Sequence, residues 1–140
     1  MDATEAVSLA NDAFYRALSL ADLGAMRRVW LHTDTAVCTH PNNPPLHGWE
    51  AIQDSWQRIF EGQGPLRVWA TEVRVRLFGL TAEVTCVENI DTGRGGGPGL
   101  AQARATNIFR LDGGRWRLLE HHAAQVRTSP QQRPGRFSAN

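Results

Sequence analysis

The chain has 140 residues, the size of one ordinary domain, and 15 Lys plus Arg against 14 Asp plus Glu leave a formal net charge of +1. That balance supplies no long-range field for nucleic acid or an anionic membrane, and no run approaches the ~20 apolar residues of a membrane span. The opening MDATEAVSLANDAF has no basic start and apolar stretch of a leader, so a cytoplasmic protein is expected, and the distant Cys38 and Cys86 read as small core residues.

From residue 2 to 20, Val7, Ala10, Phe14, Ala17 and Leu18 recur at helical spacing, and Asp2 with Glu5 can cap the start reciprocally. Asp22 then precedes Leu23, Met26, Val29 and Trp30, which share one face and predict a second, short helix. The β-branched stretch Thr35 to His40 predicts a strand that stops at Pro41. Gly48 opens a third helix with Trp49, Ile52, Trp56, Ile59 and Phe60 on one face, closed by Gly62, Gly64 and Pro65.

From residue 66 the apolar period changes from about 3.6 to 2, so the second half is sheet. Val73, Val75 and Leu77 alternate with charged residues, turn near Gly79, and return as Ala82, Val84 and Cys86. A glycine-rich loop over 92–99 leads to a strand from Leu100 to Leu111, which turns at Asp112-Gly113-Gly114 into Arg115 to Val126. The fold expected is α+β, helices on one face of a curved antiparallel sheet, as a single domain over 1–126 with a flexible polar tail over 127–140.

Strand parity selects the inward side chains. Trp116 and Leu118 carry Glu120, His122, Ala124 and Val126 inward and turn His121 outward; Phe109 brings Asn107 and Ala105 inward; Cys86 brings Glu88, provided that no bulge intervenes. The expected catalytic set is therefore His122, Glu88, Glu120 and Asn107: an imidazole to exchange the proton, a carboxylate to orient it and an amide to polarise a substrate oxygen. His40 at the strand end, Trp49, Trp56, Phe60, Cys86, Phe109 and Trp116 are expected to line the ligand pocket. No HxH or HExxH spacing gathers the histidines, and the glycines near 93–99 do not complete G-x-G-x-x-G, so neither a metal nor a cofactor is expected.

Cys38-Thr39-His40-Pro41, Gly48-Trp49-Glu50-Ala51-Ile52 with Ser55-Trp56, Thr106-Asn107-Ile108-Phe109, and Gly114-Arg115-Trp116-Arg117 leading to His121-His122-Ala123 resemble SnoaL-like members of the nuclear transport factor 2-like superfamily over about residues 4–126. The resemblance implies a cone-shaped α+β barrel with a deep pocket and a homodimer through the outer sheet face. It does not choose among isomerases, hydrolases, dehydratases, cyclases and non-catalytic binding or association domains. The only tyrosine, Tyr15, lies in the first helix with no evident acid pair, so steroid isomerisation is not expected; separately, Ala124 stands where relatives often carry serine and removes a hydroxyl partner from beside His122. What is expected is a proton-transfer enzyme for a small, largely apolar carbonyl or hydroxyl compound, or a passive binding protein or association module on the same fold.

Overall fold

The computed structural model describes residues 1–93 and 99–126. The tail expected over 127–140 and the centre of the glycine-rich loop lie outside the described residues. The elements run α1 (Ala3–Leu20), α2 (Leu23–Val29), β1 (Val37–Thr39), β2 (Leu46–His47), α3 (Trp49–Gln63), β3 (Arg67–Phe78), β4 (Thr81–Asp91), β5 (Leu100–Asp112) and β6 (Arg115–Gln125). The strands form one sheet in the order β2-β1-β6-β5-β4-β3, with the helices on its concave side, so the α+β arrangement is as the sequence predicts.

The helix starts follow from local chemistry. The Asp2 carboxylate accepts from Glu5 N at 2.8 Å while Glu5 accepts from Asp2 N at 3.3 Å, closing a reciprocal cap on α1. Asp22 accepts from Ala25 N at 3.0 Å and starts α2. Trp30, expected on the second helix, instead leaves it in extended backbone and bridges Leu118 in parallel. Gly48 opens α3 at φ +89, a conformation that a side chain at that position would resist.

Two further features differ from expectation. β1 runs parallel to β6 and pairs antiparallel with β2, a two-residue strand after the Asn-Pro segment. β3 and β6 are also bulged. In β3 the register skips between Thr71 and Arg74, with Glu72 at φ +53, so Val73 is left 39% exposed at the bend instead of in the core. In β6, Ile108 faces Glu120 and Phe109 faces Leu118, so Leu119 is an extra residue without a partner on β5.

The Leu119 bulge inverts the expected parity of the rest of β6. Leu118 faces inward as predicted and Trp116 packs partly buried against the edge of the core, but beyond the bulge His121 and Ala123 are the buried residues, at 2% and 5% exposure, and His122 turns to the outer face. Inside the barrel Phe14, Met26, Trp30, Ile52, Phe109 and Leu118 are fully enclosed and form the apolar floor on which the polar groups sit. Phe14→Ala is expected to lower stability by about 3–5 kcal/mol, the cost of a large aromatic cavity, whereas Val73→Ala at the exposed bend changes it by less than about 0.5 kcal/mol; urea unfolding measures both.

Candidate active site

Four side chains from four elements meet inside the barrel: Tyr15 from α1, Glu88 from β4, Asn107 from β5 and His121 from β6, all at most 5% exposed. Helical spacing puts Tyr15 beside Phe14, whose ring stacks edge-on at 4.8 Å and holds the phenol toward the sheet. Glu88 arrives by the alternation Ala82, Val84, Cys86, as the sequence predicts. Register pairs Asn107 with His121 directly.

The amide orientation of Asn107 sets the donors around it. Asn107 Nδ2 donates to Asn11 Oδ1 at 2.9 Å and to the Tyr15 hydroxyl at 3.2 Å, so Asn107 Oδ1 is the acceptor for His121 Nδ1 at 2.6 Å. The Tyr15 hydroxyl donates to Glu88 Oε2 at 2.8 Å and lies 3.3 Å from the Cys86 thiol. With Nδ1 carrying the proton, Nε2 is the unprotonated nitrogen of His121 and lies 3.7 Å from Glu88 Oε2.

This contact is not an ion pair near neutral pH. Burial, reinforced by the neighbouring His40 and His122, pushes the His121 imidazole down to about 3. Burial pushes Glu88 up to about 7, with the Tyr15 hydrogen bond opposing it. A neutral imidazole therefore faces a carboxyl that gives up its proton near physiological pH, and of the two the Glu88 carboxylate is the stronger base. Burial also raises Tyr15, Cys38 and Cys86, which keeps them protonated.

His40 stands at the edge of this group. Its Nε2 lies 3.0 Å from Ser55 Oγ on α3, its ring packs edge-on against Trp56 at 4.8 Å, and burial lowers its basicity. Trp56 also faces Phe14 at 5.8 Å, Phe60 at 5.7 Å and His121 at 6.3 Å. The Nε1 donor of Trp56 is buried without a partner among the described residues.

The remaining sequence-predicted residues lie elsewhere. His122, expected inside, sits on the outer face with a side chain 38% exposed, its Nδ1 2.9 Å from the Thr39 hydroxyl and its Nε2 2.9 Å from Glu120 Oε1, so Glu120 is outside as well. The physical reason is the Leu119 bulge. Trp49 stacks on His32 at 4.4 Å and faces Trp30, away from Tyr15 and His121. Trp116 faces a separate groove beside α1, while Phe109 and Cys86 adjoin the polar group from the sheet. Tyr15 and His121 were the functional candidates that parity and periodicity passed over. For Tyr15 the signal was present, since it follows Phe14 on the buried side of an amphipathic helix. No group of three or more His, Cys, Asp or Glu among the described residues is placed to hold a metal ion, and no described helix is long and apolar enough to cross a membrane.

The model of the SnoaL-like domain family matches residues 7–127. This chain belongs to that family. The SnoaL-like domain is 34% identical to a Streptomyces avermitilis protein of the nuclear transport factor 2-like family whose dehydratase assignment is provisional, covering 89% of this chain and 96% of that one with a TM-score of 0.81. It is 29% identical to a provisionally assigned calcium/calmodulin-dependent protein kinase type II association domain from Thiobacillus denitrificans, covering 86% and 94% with a TM-score of 0.78. It is also 30% identical over 131 residues to the F-box protein SKIP8 of Arabidopsis thaliana, and spans about half of that protein's length.

The buried pair gives the SnoaL-like domain a definite pH signature. Between pH 6.5 and about 3 the unfolded chain binds a proton at His121 that the folded chain refuses, so this group lowers stability as pH falls. Between pH 4.5 and about 7 the folded chain keeps a proton on Glu88 that the unfolded chain releases, so this group lowers stability as pH rises. The two oppose each other where the windows overlap. Glu88→Gln is expected to leave the His121 slope unopposed, so that stability rises more steeply from pH 4.5 to 7 than in the parent protein; denaturant unfolding over that range measures it, and parallel profiles would refute the assignment.

Proposed function

We propose that the domain is a proton-transfer enzyme for a small, largely apolar carbonyl or hydroxyl compound, with Glu88 as its acid–base residue and His121 as the neutral imidazole facing it. The observation that carries this reading is the burial of the Glu88 carboxyl between the Tyr15 hydroxyl, at 2.8 Å, and His121 Nε2, at 3.7 Å. The interior position expected of His122 is taken by His121; Glu120 and Thr39 hold His122 on the outer face. Asn107 fixes the imidazole tautomer and Tyr15 positions the Glu88 carboxyl.

A dehydration shows how the set would work. The Glu88 carboxylate takes the proton from the carbon next to a carbonyl and, now in its acid form, delivers it to the hydroxyl one carbon further on; the C–H and C–O bonds break, a C=C bond forms, water leaves and Glu88 returns to its carboxylate. The unpartnered Trp56 Nε1 offers a hydrogen bond to a substrate oxygen on the side where His40 and Ser55 form the rim. The provisional dehydratase assignment of the Streptomyces relative supports the same class of chemistry.

The test is incubation in D2O with a panel of short β-hydroxy ketones and β-hydroxy thioesters, followed by proton NMR for deuterium uptake next to the carbonyl and for alkene formation. The parent protein is expected to catalyse at least the exchange, and Glu88→Gln to slow it by about 10²–10⁴-fold. Exchange undiminished in Glu88→Gln would refute the role. Binding without exchange or conversion would favour a passive pocket protein.

The association-domain relative supports a second reading, in which the fold serves assembly through the outer sheet face. The two readings are compatible, since that face carries Arg74, Arg76, Glu83 and His122 and the Glu88–His121 pair lies on the other side of the sheet.

A further inference from the structure

A concavity of about 590 Å³ lies outside the barrel, between α1, α2 and the turn joining β5 to β6. Its volume falls in the range of small-molecule sites, roughly 300–1,000 Å³. The floor is apolar: Leu9, Ala10, Ala13 and Leu20 come from the face of α1 turned away from Tyr15, and Trp116 closes the far wall. Leu9 and Leu20 remain 52% and 59% exposed, so two large apolar side chains flank this groove uncovered.

The rim is cationic. Arg16, Arg28 and Arg115 approach from three different elements, and none of their side chains makes an ion pair or hydrogen bond with the described residues. The carboxylate in the lining, Asp22, is already engaged as the cap of α2. Three uncommitted guanidiniums over an apolar floor complement a molecule with an apolar body and an anionic end, and guanidinium suits a carboxylate because it can present two parallel donors. We infer that this groove binds a small amphipathic carboxylate, with the chain over Leu9, Ala13 and Trp116 and the carboxylate among Arg16, Arg28 and Arg115. The site is independent of the Tyr15–Glu88–His121 group, which lies on the opposite side of α1.

Isothermal titration with sodium decanoate tests this, with decanol as the uncharged chain and butyrate as the charge with little chain. Decanoate is expected to bind, decanol at least tenfold more weakly, and butyrate not detectably. Exposed ion pairs are worth about two- to fivefold each, so the combined Arg16→Ala, Arg28→Ala and Arg115→Ala protein is expected to lose about tenfold or more. Leu9→Glu, a change at an exposed position, is expected to weaken decanoate while leaving thermal unfolding near that of the parent protein. Glu88→Gln is expected to bind decanoate as the parent does. The inference is overturned if the parent gives no binding heat with millimolar decanoate, if the triple arginine variant binds undiminished, or if Glu88→Gln abolishes binding, which would place the probe inside the barrel.

Discussion

The side-chain amide of Asn107 is the contact on which the interior chemistry depends. It is fully buried, donates to Asn11 and Tyr15 on α1, and accepts from His121 on the adjacent strand. A buried amide left unpaired would cost about 1–3 kcal/mol per group, so helix and sheet are locked together in the arrangement that satisfies it. Because both amide protons are committed to α1, the amide oxygen can only accept, and His121 must carry its proton on Nδ1. One satisfied side chain thereby sets the tautomer of an imidazole and the position of a phenol whose proton goes to Glu88.

Burial then tunes both titrating groups in opposite directions. It costs the imidazolium and the carboxylate their hydration, so the interior holds a neutral ring beside a carboxyl whose proton is released near neutrality. On the outer face the same residue type behaves differently. His122, one residue along, is partly solvated between Thr39 and Glu120 and belongs to the surface. Neighbouring histidines of one strand serve two environments because a strand alternates faces.

Much of this was legible in the sequence. The 3.6-to-2 change in apolar period near residue 66 marks the passage from helices to sheet, and Asp2, Asp22 and Gly48 mark helix starts through their own hydrogen bonding or backbone freedom. Glu88 and Asn107 follow from alternation along uninterrupted stretches of β4 and β5. The inward choice between His121 and His122 did not follow, because a single unpaired Leu119 reverses parity and no glycine or proline signals it. Nor did the parallel β1–β6 pairing, which joins segments some eighty residues apart; that pairing brings Thr39 alongside His122 and leaves His40 just beyond it at the rim. The family words converge nonetheless: His40 meets Ser55 and Trp56, and Asn107 meets His121.

The fold and the SnoaL-like family are shared with proteins of provisional dehydratase assignment and with association domains, so function rests on the interior site and not on the architecture. The claim that matters most is the protonation of His121, and long-range proton–nitrogen correlation NMR of the histidine rings reads it directly. The account predicts a neutral His121 with its proton on Nδ1 from pH 8 down to pH 5, with a resonance of Nε2 that shifts as Glu88 titrates near 7. An imidazolium at pH 6, or a proton on Nε2 with Nδ1 bare, would contradict it.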